Sequence, residues 1–301
     1  MQAGLYDPRL FLDRRLWERM KIVVIDEETP HLDPEGTDVF GVDGDPFEFG
    51  YVFLNWDGPA EERFGQLWIN PGCQISDFSI KYCKLGHQDL TRIYDAPRFP
   101  DRVADIVDIL GWADIVVGWN IGFDLGWLQK GMRRHGGAPL KLPIVIDLMS
   151  VVRHLFPRWR SHSLKAAFGE LLLSIPEADM AVIPSGSKAL FDCLEVKAIL
   201  ERLASSPRMT QHLGELLMLH EHATTLQNRD QELWGGMFRT DPQDGKIRWM
   251  GNKDAGHALK DSQTGYLEDC LNGLKSFKGI RWSNHPPMAR ALVEAELRSR
   301  R

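Results

Sequence analysis

Four carboxylates in three short motifs carry the chemistry of this chain: Asp26-x-Glu28, Asn120-x-x-x-Asp124 and Ala189-x-x-Asp192. The first pair ends a β-branched run, Ile22-Val23-Val24-Ile25, that reads as a buried strand. Strand side chains alternate, so Asp26 and Glu28 project from the same side. Two carboxylates on one face repel each other and lose hydration, which makes physical sense mainly when a cation sits between them. Carboxylates suit hard Mg²⁺ or Mn²⁺ better than a His/Cys set would. Four acids from separate elements suffice for two such ions, about 3.5–4 Å apart. Such a pair hydrolyses phosphodiesters by generating hydroxide at one ion and stabilising the leaving oxygen at the other. In the arrangement this suggests, Asp26 bridges both ions, Glu28 and Asp192 complete the first, and Asp124 orients the second directly or through water.

The elements that must position these residues follow from periodicity. After the first strand, residues 30–46 are irregular and rich in Pro, Gly and Asp. Residues 47–54 alternate as a second strand, and 65–69 with their flanks read as a third. Residues 101–112 recur apolar at helical spacing, 113–120 form a short apolar run into the second motif, and 123–134 are helical again. A buried strand over 143–147, helices over 148–156 and 163–172, and a stronger helix over 189–203 complete the pattern. Strands first and alternating strand–helix units afterwards imply an α/β domain with a mixed sheet covered by helices.

Beyond residue 204 the pattern changes. Residues 205–240 read as a connector with a helical stretch over 211–227, whose His212, His220 and His222 lack the spacing of a metal site. Residues 241–301 read as a small separate α+β unit. It has a strand pair around 247–249 and 257–259, a helix over 265–274 and a terminal helix from Pro286. That unit carries 11 Lys and Arg against 8 Asp and Glu, although the whole chain of 301 residues has a formal charge of −6. Bound divalent ions reverse the local field of an acidic site, so the overall charge argues only weakly against a nucleic-acid partner.

Composition places the chain among soluble globular proteins, at 43% hydrophobic and 26% charged residues. No stretch approaches the roughly 18 apolar residues of a membrane span, and residues 1–9 lack the regions of a signal peptide, so a cytoplasmic protein is expected. The four cysteines show no CxxC spacing, which indicates neither a zinc site nor a disulfide framework.

Taken together, the motifs resemble the DEDD exonucleases of the ribonuclease H-like fold, specifically the histidine, DnaQ-like subclass to which exonuclease X belongs. Asp26-Glu27-Glu28-Thr29 looks like the first motif, Asn120-Ile121-Gly122-Phe123-Asp124 like the second, and Ser187-Lys188-Ala189-Leu190-Phe191-Asp192 like the third. Asn70-Pro71-Gly72, Leu85 to Leu90, Ala96 to Phe99, Ile146-Asp147-Leu148 and Ser163-Leu164-Lys165 fall where the family has its landmarks. The resemblance covers roughly residues 20–203 and makes residues 1–204 an exonuclease domain with a ribonuclease H-like mixed sheet flanked by helices. It implies a 3′–5′ exonuclease that holds two Mg²⁺ or Mn²⁺ ions on Asp26, Glu28, Asp124 and Asp192. Its partner would be a nucleic acid with a free 3′ end, DNA ahead of RNA, with no membrane involved. The C-terminal unit is faintly similar to the domain that accompanies exonuclease X-like nucleases, through Trp249 to Lys253, Gly265-Tyr266-Leu267 and the final helices. It departs from that domain where a Gly-Lys pair is usual.

One departure bears on catalysis. The histidine subclass has its general base five residues before the last acid, where this chain has Ser187; the tyrosine subclass has a Tyr four before it, where this chain has Lys188. Losing a general base costs about 10²–10⁴-fold in rate. Three readings stay open: a substituted natural histidine, a natural enzyme with another base (His162, Lys188 or metal-bound hydroxide alone), or a strand-binding domain without activity. Substrate contacts are expected from Thr29, Asn120 and Phe123 beside the acids. A basic–aromatic cluster of His154, Arg158, Trp159, Arg160 and His162 reads equally as phosphate contact or solvated loop. Lys130, Arg133 and Arg134 read as a solvated helix end.

Overall fold

A computed structural model describes residues 20–31, 44–59, 62–181, 183–184, 186–205, 238–240, 246–249, 258–272, 276–277, 280–281 and 287–300. The chain divides into two compact units, Met1–Met149 with Ala167–Leu216, and Ser150–Ala166 with Leu217–Arg301.

The first unit is built on five strands: β1 (Ile22–Glu28), β2 (Glu48–Leu54), β3 (Phe64–Trp68), β4 (Ile115–Gly118) and β5 (Ile144–Asp147). Their order is β3-β2-β1-β4-β5. β1 pairs antiparallel with β2 and parallel with β4, while β2–β3 is antiparallel and β4–β5 parallel. The expected mixed sheet is therefore the one that forms. Among the described residues up to 205 the helices are α1 (Asp77–Cys83), α2 (His87–Asp95), α3 (Phe99–Trp112), α4 (Gly122–Arg134), α5 (Leu148–Leu155), α6 (Leu164–Glu170), α7 (Glu177–Met180) and α8 (Lys188–Ser205), of which most of α5 and the start of α6 fall in the second unit. The unbroken Val/Ile runs of β1 and β4 make sense because helices cover both faces of the sheet. On one face Val23, Ile25, Phe49, Phe53 and Val116 pack against Phe99, Ile106 and Leu110 of α3 and Leu128 and Met132 of α4. On the other, α8 packs across β1 and β2.

Gly50 makes that second contact possible. A Cβ there would lie 2.6 Å from the backbone of both Ala189 and Leu190, so only glycine lets α8 lie this close to β2. In the ladder Gly50 stands opposite Asp26, so the close approach falls beside the first motif.

Two expectations need correction, and α1 and α2 occupy residues 77–83 and 87–95, to which periodicity had assigned no element. Arg134 is not simply a solvated helix end: its Nη1 lies 2.5 Å from Oδ1 of the buried Asp45, which also meets His135 Nε2 at 2.9 Å. This clamps the end of α4 to the segment that enters β2. In the second unit, β7 (Ile247–Trp249) pairs with β6 (Phe238–Thr240); the segment around residue 258 contributes only an isolated bridge, Arg248 to Ala258.

That unit continues through α9 (Thr264–Leu271), the two-residue strands β8 (Ser276–Phe277) and β9 (Ile280–Arg281), and α10 (Pro287–Ser299). Its core gathers Phe238, Trp249, Leu259, Tyr266, Leu267, Cys270, Val293 and Leu297. Trp249 Nε1 donates to Ser262 Oγ at 2.7 Å. The helical stretch expected over 211–227, with its three histidines, lies outside the described residues. No helix among the described residues is long and apolar enough to cross a membrane.

Because backbone atoms fill the space above Gly50, Gly50→Ala is expected to destabilise the fold by about 1–3 kcal/mol. Urea denaturation followed by tryptophan fluorescence measures this as a lower midpoint at unchanged slope.

Candidate metal centre

The acids meet at the end of β1. Asp26 and Glu28 project toward the face covered by α8, which brings Asp192, one turn into that helix, over them. Carboxylate oxygens of Asp26, Glu28 and Asp192 all lie within 4.8 Å of one another. Asp124 arrives from the first turn of α4, and its Oδ1 accepts a hydrogen bond from the Glu27 backbone N–H at 3.0 Å. The loop before α4 turns at Asn120, whose φ of 61° is left-handed, a conformation asparagine tolerates better than most residues. Asp147, the last residue of β5, holds this loop: its Oδ1 accepts from the backbone of both Asn120 (2.9 Å) and Met149 (3.1 Å).

A cleft of about 270 Å³ opens here, lined by all four acids together with Thr29, Asn120 and Phe123. Sequence reasoning missed part of its wall. Glu27, Phe78, Tyr82, Cys83 and Trp119 also line it. Phe78 and Tyr82 are 54% and 60% exposed and stack with ring centroids 5.9 Å apart and planes 10° apart. Their spacing, one turn apart on a helix, was the available signal. Arg158, Trp159, Arg160 and His162 belong to the second unit. There Trp159 stacks on Phe156 at 4.2 Å, His162 Nε2 donates to the Phe156 carbonyl at 2.9 Å, and both arginines are exposed.

Burial and mutual repulsion shape the electrostatics. Burial, then the charges of Asp192, Asp124 and Glu28, push the Asp26 carboxyl well above its ordinary value. Burial raises Glu28 to about 7, although a hydrogen bond from Cys83 Sγ (3.0 Å) and the charge of Lys188 oppose the shift. Burial likewise raises Asp124 and Asp192. The counter-charge is Lys188, whose Nζ touches Asp192 Oδ2 and lies 4.0 Å from Glu28 Oε1. Burial disfavours its charge, but Asp192, Glu28 and Asp26 outweigh that and hold the ammonium above the usual lysine value. In this arrangement the Lys188 ammonium is committed to the carboxylates of Asp192 and Glu28.

Ser187 is absent from the cleft wall. It is buried, and its hydroxyl donates to Glu48 Oε1 at 2.6 Å. Glu48 Oε2 accepts the Lys188 backbone N–H at 3.2 Å. With its amide turned to accept from Trp68 Nε1 at 3.0 Å, Gln66 donates to Glu48 Oε1 at 3.1 Å and to Ser187 Oγ. Burial raises Glu48 to about 8 despite these donors. The residue at the expected base position is thus tied into the sheet.

The sequence matches the RNase_T exonuclease family over residues 23–178, more than half of the chain. This chain belongs to that exonuclease family. The match ends before Ser187 and Asp192. A PolC-type DNA polymerase III from Oceanobacillus iheyensis is 27% identical over 204 residues, 67% of this chain but 13% of the polymerase. A PolC-type polymerase from Lacticaseibacillus paracasei is 32% identical over 108 residues, 36% of this chain and 7% of the polymerase. The chain therefore spans only a small part of these relatives. A solved structure of exonuclease I shares the ribonuclease H-like fold at a TM-score of 0.50 and 12% identity, covering 85% of this chain and 60% of that one. Exonucleases of this family use divalent metal ions, and the acidic cluster of this member is of the kind that holds them.

The pKa shifts set a sign for stability. Glu28 and Glu48 bind protons more tightly folded than unfolded, so their contribution is greatest below the ordinary value of 4.5 and declines as pH rises through about 7 and about 8. The metal-free protein is expected to melt at progressively lower temperature across that range. Saturating Mn²⁺ should recover most of the loss at the alkaline end, as scanning calorimetry with EDTA or Mn²⁺ will register.

Proposed function

We propose that this chain is a divalent-ion-dependent exonuclease that removes nucleotides from the 3′ end of DNA. The observation that carries the reading is the convergence of Asp26, Glu28 and Asp192 within 4.8 Å in a cleft walled by aromatic side chains. The donor set fits hard cations, being all carboxylate, and Lys188 already stands among the acids as a positive charge. Asp26, Glu28 and Asp192 would hold one Mg²⁺ or Mn²⁺, and Asp26 with Asp124 a second. When bound, such ions neutralise phosphate charge and acidify water.

The chain's own residues bind and orient the strand. Phe78 and Tyr82 offer exposed, stacked rings, and Phe123 and Trp119 line the same cleft. Stacking contributes about 1–3 kcal/mol per base without sequence preference, which suits removal of successive nucleotides. Thr29 Oγ1 donates to the His31 carbonyl at 2.8 Å, so Thr29 would meet the terminal nucleotide through its backbone and methyl group. Asn120 would contribute its exposed amide side chain. In the second unit the exposed Arg158 and Arg160, with Trp159 and His162 stacked beside them, make a basic–aromatic surface suited to a phosphate backbone. DNA is favoured over RNA because the curated relatives are DNA polymerases.

The commitment of Ser187 to Glu48 favours a second reading, a strand-binding domain with little or no cleavage, since no proton acceptor stands at the family's base position. Degradation of 5′-labelled single-stranded DNA and RNA with Mn²⁺ separates the two. The exonuclease reading expects stepwise shortening from the 3′ end, faster on DNA, abolished in Asp26→Ala. It also expects Ser187→His to accelerate shortening by about 10²–10⁴-fold. Metal-dependent strand binding with no cleavage by either the unaltered protein or Ser187→His would leave the binding reading in its place.

A further inference from the structure

Lys188 is a cation built into the acidic cluster. Its Nζ touches Asp192 Oδ2 one turn along α8 and lies 4.0 Å from Glu28 Oε1, so it bridges two of the three converging carboxylates. The ring of Tyr82 stands 5.8 Å from the same ammonium and closes its third side. The backbone beneath is pinned: the Lys188 N–H donates to Glu48 Oε2 at 3.2 Å, and the preceding Ser187 hydroxyl to Glu48 Oε1 at 2.6 Å. Helix movement therefore does not relocate the charge, whereas the side chain is 28% exposed and rides on a flexible four-carbon stem.

A divalent ion held by Glu28 and Asp192 would sit about 2.0–2.2 Å from their oxygens, and an ammonium bonded to Asp192 and 4.0 Å from Glu28 Oε1 would lie within a few ångströms of it. Like charges that close in a partly desolvated site repel strongly. Ion and ammonium cannot both keep these contacts.

Resting on the reading of Asp26, Glu28 and Asp192 as metal ligands, we propose that Lys188 is an internal competitor for the divalent ion. Its ammonium fills the Glu28–Asp192 position in the metal-free protein and withdraws when the ion binds. The ammonium steadies carboxylates that would otherwise face one another uncompensated, and it lowers the apparent affinity for metal by the free energy of the contacts that must break.

Lys188→Met keeps the stem and removes the charge. Titration calorimetry of the full chain with Mn²⁺, without nucleic acid, is expected to show about tenfold or tighter binding in Lys188→Met than in the unaltered protein, the scale of one charged hydrogen bond. In EDTA the variant is expected to melt at lower temperature than the unaltered protein, a gap that closes with saturating Mn²⁺. Equal or weaker Mn²⁺ affinity in the variant overturns the competition while leaving the metal centre standing. Absence of Mn²⁺ binding by both proteins overturns the metal-centre reading and the competition with it. Should Lys188→Met fail to fold, amine labelling of the unaltered protein decides, read on the peptide that carries Lys188. Labelling there should rise several-fold when Mn²⁺ is added, and unchanged or reduced labelling overturns the proposal.

Discussion

The end of β1 carries more negative charge than its burial tolerates, and much of the first unit is arranged around that excess. Asp26, Glu27 and Glu28 are consecutive, Glu48 stands opposite Glu28 in the ladder, and Asp124 and Asp192 close in from two helices. Three devices manage the charge. Glu27 is buried with neither carboxylate oxygen hydrogen-bonded, and burial favours its protonated form. Asp124 and Glu48 receive backbone N–H donors. Asp26, Glu28 and Asp192 have a cation instead, which in this structure is an ammonium. Those are the three acids whose oxygens come within 4.8 Å of one another. The acids balanced by a side-chain ammonium rather than by backbone donors are the ones proposed to hold an ion.

Glu48 connects this charge problem to the architecture. It lies on β2, yet it accepts from the residues at the start of α8 and so fixes where the helix bearing Asp192 begins. Gly50, two residues on, removes the side chain that would keep that helix away. One short stretch of β2 therefore sets both the start and the height of α8 above β1. A serine at 187 fits this arrangement: its small hydroxyl reaches a buried carboxylate, where a histidine ring turned the same way would have to displace Gln66. The residue that stands in place of the expected base also ties down the helix carrying Asp192.

Much of this was legible in the sequence, and its limits have physical causes. The β-branched run ending in acid marked β1 and the apolar run leading to Asn120 marked β4, because burial on both faces of a mixed sheet demands such runs, and Asp26 and Glu28 could be placed on one face by alternation alone. Asp192 was singled out by the resemblance to the third motif, and helical spacing in 189–203 placed it on a helix. α1 and α2 were not legible: each is too short for its periodicity to stand out, although Ser76 does cap α1, accepting from Ser79 N–H at 3.2 Å. Phe78 and Tyr82 were hidden for the opposite reason, since aromatic residues read as core unless the fold shows them on the surface. The bond between Glu48 and Ser187 joins residues 139 apart in the chain, and no local pattern announces such a contact. The clamp between Asp45 and Arg134 escaped in the same way.

This chain departs from the histidine-subclass pattern at Ser187, where α8 begins, and the next residue, Lys188, carries the internal cation. Ser187 takes the backbone of this turn into the sheet, which aims the neighbouring Lys188 side chain along the helix toward Asp192. A residue at 187 that turned outward would give up the Glu48 contact and loosen the point from which Lys188 reaches its carboxylates. The serine at the expected base position and the internal cation therefore share one local geometry. In the proposed exonuclease both would bear on the activation of water beside the acids. On this reading an ion held by Glu28 and Asp192 would have to displace an ammonium to enter, and the residue at position 187 would offer it a hydroxyl already bound to Glu48 in place of an imidazole.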